Sequence, residues 1–148
     1  VTVNNLSGTD VNEVSINLGS ALGGNVGDSQ ADNVIVNGTN GNDTILLSGN
    51  SAGVAVQGLA ARVNVTSADG GIDRLTVNGL AGDGVVDASA LAAGAIPLTA
   101  DGGAGDDVLI GGTNGDLLLG GDGDDVLSGG PGSDVLDGGP GDNVVIQD

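Results

Sequence analysis

The chain contains no phenylalanine, tyrosine, tryptophan, cysteine, methionine or histidine among its 148 residues. Without aromatic side chains the core lacks its usual bulk, so it must be built from valine, leucine, isoleucine and alanine in thin layers. Without cysteine and histidine there is no disulfide, no thiolate or imidazole metal ligand, and no nucleophile–histidine pair. The composition therefore favours one domain made of thin stacked units over a compact catalytic fold.

Positive charge is almost as scarce as aromatic side chains. The chain has two basic residues, Arg62 and Arg74, against 20 acidic ones, and its net charge is -18. Nucleic acids and anionic membranes both require a basic surface on the protein, so neither is expected as a partner. No signal peptide and no membrane-spanning apolar run is present, so membrane insertion is not expected either. The chain starts at Val1 in what resembles the middle of a domain, which predicts a longer parent protein.

The negative charge and the hydrophobic content point in opposite directions. A net charge of this size usually keeps a chain unfolded, because like charges repel. Yet 39% of the residues are hydrophobic, which is unlike ordinary disorder. The two observations agree if bound cations neutralise the aspartates.

Five nine-residue blocks run head to tail from Gly102 to Ile146. They read GGAGDDVLI, GGTNGDLLL, GGDGDDVLS, GGPGSDVLD and GGPGDNVVI. Each block begins with two glycines, has a carboxylate or amide at its sixth position, and has a branched aliphatic residue at its eighth. A fixed short period indicates one small structural unit that is copied and stacked. The sixth positions are Asp107, Asp116, Asp125, Asp134 and Asn143, and the eighth are Leu109, Leu118, Leu127, Leu136 and Val145.

A looser repeat lies upstream of the nonapeptides. Segments beginning at Asp32 and Asp73 match at a constant offset of 41 residues. Short β-prone runs recur every 9 to 11 residues in this unit, so it is interpreted as two coils of about 20 residues with two strands each. We therefore predict one continuous solenoid. Its wider part is 1–101, with duplicated units at 32–72 and 73–113, and its regular part is 102–148; residues 18–30 are predicted to form a loop.

The nonapeptide offers only oxygen ligands. Glycine pairs let the backbone pass close to an ion, so the turn can present carbonyl oxygens beside the sixth-position carboxylate. Oxygen ligands alone select a hard cation. Two nonapeptides make one coil, so we expect Asp107, Asp125 and Asn143 to stack along one edge, and Asp116 and Asp134 along the other. Carboxylates stacked about 4.8 Å apart repel each other unless a cation lies between them.

This tandem pattern resembles the RTX repeats, the hemolysin-type calcium-binding repeats of secreted bacterial proteins, whose motif is GGxGxDx-aliphatic-x. The resemblance covers residues 100–148 closely and residues 32–100 in a degenerate form. It implies a right-handed parallel β-roll with several calcium ions between its turns, and export by type I secretion. The predicted fold is thus all-β, a β-roll or β-solenoid with two short strands per coil, and no helix is predicted because glycine interrupts every window.

The resemblance also implies a ligand set for this chain. The carboxylate ligands would be Asp107, Asp116, Asp125 and Asp134, and the carbonyl donors Gly103, Gly105, Gly112, Gly121, Gly123, Gly130 and Gly132. Asn143 takes the carboxylate position in the last block, which should weaken a site there by one charge. Asp43 and Asp73 take it upstream, where a ligand and a plain turn-forming aspartate are both open alternatives. Gly84 takes it in the later segment AGDGVVD, so no full site is expected at that turn.

Several strand positions predicted to face outward are also aliphatic. Solvated strand faces usually carry polar residues, so at least one face is expected to be covered. Self-association through these faces or through the solenoid ends is therefore open. The positions are Val108, Ile110, Leu117, Leu119, Val126, Val135, Val144 and Ile146.

The leading functional hypothesis is a calcium-binding structural module of a large secreted or cell-surface bacterial protein, such as an adhesin, surface-layer or matrix protein, that folds on extracellular calcium. One alternative is a calcium-dependent self-assembling filament. Another is the C-terminal repeat region of a secreted hydrolase whose catalytic domain lies elsewhere. The chain itself is not expected to be an enzyme, since it has no histidine, no cysteine and no GxSxG motif.

Overall fold

A computed structural model describes residues 1–20 and 26–147, and within them it contains fourteen β-strands and no helix. Among these residues there is accordingly no helix that could cross a membrane. The predicted loop at 18–30 falls partly on residues 21–25, which lie outside the described residues. In chain order the strands are β1 (Thr2–Val3), β2 (Glu13–Asn17), β3 (Asn33–Asn37), β4 (Thr44–Asn50), β5 (Gly53–Gln57), β6 (Arg62–Thr66), β7 (Arg74–Asn78), β8 (Val85–Leu91), β9 (Leu98–Ala104), β10 (Val108–Ile110), β11 (Leu117–Asp122), β12 (Val126–Ser128), β13 (Val135–Asp137) and β14 (Val144–Ile146).

The strands form two sheets between which the chain mostly alternates. One sheet has six strands in the order β1-β3-β7-β9-β11-β13, and every neighbouring pair in it is parallel. The other has eight strands in the order β14-β12-β10-β8-β4-β5-β6-β2. Its pairs are parallel except β4 with β5 and β5 with β6, which are antiparallel. The fold is all-β as predicted, but one sheet is mixed rather than parallel throughout.

We use the word coil for the stretch from one strand of the six-stranded sheet to the next. Inter-coil hydrogen bonds join residues 18 apart within the nonapeptides, which is two blocks per coil. The coil that begins with β7 is longer, since its bonds to the next coil span 23 residues. For the coil that begins with β3 the offset is 41 residues. β9 (Leu98–Ala104) crosses the predicted boundary between residues 101 and 102, and that division remains a prediction.

The interpretation of the 41-residue unit as two coils of two strands is wrong. Residues Asn33–Asn37 lie directly beside Arg74–Asn78, so the whole offset is one coil. That coil carries β3 in one sheet and β4, β5 and β6 in the other. After Asn50, whose side-chain oxygen accepts a hydrogen bond from the N–H of Ala52 at 2.8 Å, the chain turns back within its own sheet. A hairpin turn and a turn to the opposite sheet use the same residues at the same spacing, so the pattern alone does not distinguish them.

The core lies between the two sheets and consists of aliphatic layers. Leu109, Leu118 and Leu127, at the eighth position of the first three blocks, are fully buried. The residue before the eighth position points outward: Val126, before Leu127, is 38% exposed, and Val135, before the partly buried Leu136, is 61% exposed. Each sixth-position residue lies immediately before one of these strands, at the junction between the sheets.

Candidate functional site

The sixth-position residues of the nonapeptides form two files, one at each junction between the sheets. In the first file, the backbone N–H of Asp107 donates to Oδ1 of Asp125 at 2.8 Å, and that of Asp125 donates to Oδ1 of Asn143 at 2.7 Å. In the second, the N–H of Asp116 donates to Oδ1 of Asp134 at 2.9 Å. The structure thus brings these side chains together as the period of nine predicts, and each bridges two coils.

The upstream residues continue these connections. The N–H of Gly84 donates to Oδ1 of Asp107 at 2.7 Å, and strand register places Asp43 before the strand that pairs with the one after Gly84. Asp43, Gly84 and Asp107 therefore share a file, with a glycine where a carboxylate is missing. Oδ1 of Asp73 accepts from the N–H of Asp32 at 2.9 Å in the same manner.

The loops adopt two conformations, which differ in what bonds to the second carboxylate oxygen, Oδ2. In the first, which we call closed loops, the residue four positions earlier donates its backbone N–H to Oδ2. This occurs from Asp69 to Asp73 at 2.7 Å and from Gly112 to Asp116 at 2.7 Å. Asp43 is satisfied twice, by the N–H of Thr39 at 2.6 Å and by its hydroxyl at 2.9 Å. In a closed loop, protein donors therefore already occupy Oδ2 of the aspartate.

In the second conformation, which we call open loops, the glycine four positions earlier has a positive φ. The values are 103° at Gly103, 107° at Gly121, 75° at Gly130 and 74° at Gly139. Only glycine adopts this region at little cost, and an added methyl group at Gly121 would also overlap the carbonyl oxygen of Gly103. The open loops are 102–107, 120–125, 129–134 and 138–143.

Two open loops leave a buried carboxylate oxygen without a partner. Asp107 and Asp125 are each 1% exposed, and Oδ2 of both has no hydrogen-bond partner. Burying such an oxygen unpaired is costly, so these positions call for a cation or a proton. In the open loop before Asp134, Oδ2 instead accepts from the side chain of Gln147 at 3.1 Å.

The predicted carbonyl donors differ in the same way. Gly103, Gly105, Gly121, Gly123, Gly130 and Gly132 all have positive φ, and the carbonyl oxygen of Gly105 faces Gly123 of the next coil. Gly112 does not belong to this group, because its N–H is turned toward Asp116. Its loop is held against the preceding coil by Thr113, which donates its N–H to the carbonyl of Leu91 at 3.2 Å, and by Asn114, which accepts from the N–H of Gly94 at 3.0 Å.

A third file, of exposed fifth-position residues, was not anticipated as a ladder. Oδ1 of Asp106 accepts from the N–H of Asp124 at 2.9 Å, and Oδ1 of Asp124 accepts from the N–H of Asp142 at 2.8 Å. These side chains reach toward the next coil, whereas those of the sixth position reach back. The available sequence signal for this ladder was the aspartate at the fifth position of the first, third and fifth blocks. The ladder adds negative charge beside Asp107 and Asp125.

Carboxylates alone do not form a metal centre here. Within the described part of the chain, no three acidic side chains come close enough together to hold an ion. Any site must therefore combine one or two carboxylates with backbone carbonyls, and such oxygen-only ligation suits calcium.

Burial governs the acidity of two of these groups. Desolvation raises the pKa of Asp107, with further increases from the charges of Asp125, Asp83 and Asp101, while the N–H of Gly84 opposes them. Desolvation also raises the pKa of Asp116, and two backbone N–H donors oppose it. Without a cation, the folded chain therefore holds these protons more tightly than the unfolded chain does.

Acidification is expected to favour the fold when calcium is absent. Because the folded pKa values of Asp107 and Asp116 are raised, their contribution to stability is present below the unfolded value of about 3.9 and is lost as the pH rises through the raised values. In EGTA, the strand signal in circular dichroism should increase as the pH falls from neutral to about 3. A signal that is flat or decreasing over this range would contradict the prediction.

Comparison with known families identifies the C-terminal part of the chain. The family model of the RTX calcium-binding nonapeptide repeat matches four copies, at residues 99–118 and 110–145. No significant match was found among curated proteins or among solved structures. The matched region contains the sixth-position residues of all five nonapeptides, the open loops and the two unpartnered carboxylate oxygens. Residues 99–145 are therefore a run of RTX calcium-binding nonapeptide repeats, which form a structural calcium-binding module.

Proposed function

We propose that this chain is a calcium-binding structural module of a large secreted or surface bacterial protein of the adhesin, surface-layer or matrix type. Proteins with RTX repeats are typically secreted by bacteria. In this proposal the chain is disordered at low calcium and folds at extracellular calcium into a right-handed β-roll, continuous with the wider coils upstream. The observation that carries it is the pair of buried, unpartnered Oδ2 atoms of Asp107 and Asp125. These two residues stand in the first and third nonapeptides and are neighbours in one file.

The local chemistry fits calcium. Calcium prefers oxygen ligands, and a bound ion would neutralise the buried carboxylate and take carbonyl oxygens from the glycine loops. Gly103 and Gly105 lie in the loop of Asp107, and Gly121 and Gly123 lie in the loop of Asp125. When bound, the ion would supply charge neutralisation and a cross-link between coils, and no chemical reaction is required of it.

The remaining candidate calcium sites are ranked by the hydrogen bonds that their Oδ2 atoms already accept. The loop of Asp134, with Gly130 and Gly132, is open and needs only to release the side chain of Gln147 to hold an ion. Asp43, Asp73 and Asp116 must first break a backbone hydrogen bond to Oδ2. We therefore propose that occupancy begins at Asp107 and Asp125 and extends to the other positions at higher calcium.

Replacement of Asp125 by alanine is expected to lower the number of calcium ions bound per chain by at least one. The physical reason is that the buried anionic ligand is lost while the carbonyls alone bind the ion weakly. Isothermal titration calorimetry on the complete chain measures the count. Asp107→Ala should behave alike.

Asp10→Ala is the matched control, since Asp10 is an exposed aspartate outside the nonapeptide blocks. It removes the same charge and should leave the ion count unchanged. An unchanged count in both Asp125→Ala and Asp107→Ala would overturn the assignment of these two sites, and equal losses in Asp10→Ala would indicate a general charge effect instead.

Self-association is a second candidate, favoured by outward aliphatic side chains. Val135, Val144 and Ile146 are 61%, 52% and 46% exposed. Such a row suits contact with another apolar face. Electron microscopy at matched protein concentration, with calcium and with EGTA, tests it: calcium-dependent filaments support assembly, and monomers in both conditions oppose it.

A further inference from the structure

Asn143 occupies the carboxylate position of its loop but makes different bonds from the aspartates of the same file. Its Oδ1 accepts from the N–H of Asp125 at 2.7 Å, just as Asp125 accepts from Asp107. Its Nδ2 donates to the carbonyl oxygen of Gly139, four residues earlier, at 2.9 Å. The amide thus bonds to the neighbouring coil with one atom and to its own loop with the other.

The loops of Asn143, Asp125 and Asp107 are equivalent in backbone conformation. The glycine four residues before the side chain has φ of 74°, 107° and 103°, respectively, and the next glycine but one has φ of 140°, 143° and 127°. A Cβ added at Gly138 would meet Nδ2 of Asn143, and one added at Gly120 would meet Oδ2 of Asp125. Nδ2 of the asparagine therefore lies where Oδ2 lies in the aspartates.

This equivalence shows where the aspartate loops lack a positive group. Where Asn143 places an N–H donor against the carbonyl of Gly139, Asp125 places a carboxylate oxygen on the side of Gly121, and that oxygen is buried without a partner. Two oxygens facing each other repel unless a positive group lies between them. In the asparagine loop the partial positive charge of the amide is that group.

We propose that Asn143 is a built-in substitute for the calcium ion, so that the open loop 138–143 is held in its conformation without metal. The inference rests on the proposed function, in which Asp107 and Asp125 bind calcium. It changes the role of Asn143 from a weak ligand to a residue that removes a site. The turn of Asn143 is then formed without metal and carries one negative charge less, and the calcium-bound turn of Asp125 stacks on it.

Exchanging aspartate and asparagine at positions 125 and 143 should change the number of bound ions in opposite directions. Asn143→Asp removes the donor and adds the anionic oxygen, so the chain should bind about one more calcium ion in titration calorimetry. Asp125→Asn installs the donor opposite Gly121, so the chain should bind about one fewer ion. At saturating calcium it should also keep the amide-exchange protection of residues 120–125 that Asp125→Ala loses.

Asn12→Asp is the control for charge, because Asn12 is exposed and distant from the repeats. It should leave the count unchanged. An unchanged count in Asn143→Asp, with the wild-type chain binding calcium normally, would overturn the inference and leave the proposed function intact. If Asn143→Asp fails to fold, Asp125→Asn decides alone: protection of residues 120–125 no better than in Asp125→Ala overturns it. A wild-type chain that binds no calcium overturns the proposed function itself.

Discussion

Chelation of calcium by EGTA at neutral pH is expected to unfold this protein. The chain has a net charge of -18, and its aspartates are stacked one coil apart in files. Two unit charges about 4.8 Å apart repel by about 3.5 kcal/mol at an effective dielectric constant of about 20. Each bound ion adds about 1.4 kcal/mol of stability when free calcium is about ten times its dissociation constant. Removing several ions thus takes away much of the 5–15 kcal/mol, roughly, that holds an ordinary domain folded.

The transition should be visible in two measurements. The strand signal in circular dichroism should collapse, and the radius of gyration from small-angle scattering should rise toward about 40 Å, the value for an unfolded chain of this length. Both should recover on addition of calcium in the range of about 10⁻⁴–10⁻³ M that is typical of extracellular modules. Magnesium at equal ionic strength is the control for charge screening, and a strand signal that survives EGTA would contradict metal-coupled folding.

Leu118→Ala is expected to produce a large loss of stability, as for any fully buried leucine of the repeats. Leu118 is fully buried, and in its sheet it lies between Ala100 and Leu136. Removing its side chain leaves a cavity that thin aliphatic layers fill poorly, because no aromatic side chain is available to move in. Such substitutions cost about 2–5 kcal/mol. Urea unfolding at saturating calcium should show this as a lower transition midpoint.

The neighbouring residue provides a matched comparison. Leu119 follows Leu118 on the same strand, faces the other side of the sheet and is only partly buried. Leu119→Ala should cost less than about 1 kcal/mol, as substitutions away from a core usually do. Equal losses in the two variants would show that the outward face is as closely packed as the core. In that case the face would have to be covered by a partner.

Much of the repeat region could be predicted from spacing. A period of nine with glycine pairs places Asp107 beside Asp125 and buries Leu118, and the structure has both arrangements. The hairpin of β4, β5 and β6 could not be predicted in this way. A turn that crosses to the opposite sheet and one that reverses within the same sheet are built from the same glycine, asparagine and serine residues.

The loop conformations, like the strands, could be predicted only in part from the sequence. Gly103 and Gly112 both stand second in a nonapeptide, yet the first has a positive φ and the second turns its N–H toward its aspartate. The difference comes from Thr113 and Asn114, which attach the loop of Gly112 to the coil containing Leu91 and Gly94. These contacts join residues about 20 positions apart, so a local motif carries no record of them.

The amino-acid sequence is sufficient to specify an acidic, aliphatic all-β chain whose repeats line up their oxygen ligands, because periodicity and composition act locally and equally in every block. Which of those ligands need an ion depends on the donors that each folded loop places at the second atom of the side chain. Asp116 receives an N–H from Gly112, Asn143 supplies its own donor to Gly139, and Asp125 receives nothing at Oδ2. The asparagine is visible in the sequence, but the difference between the loops of Asp116 and Asp125 arises only when the coils stack, since packing decides which atoms reach a carboxylate.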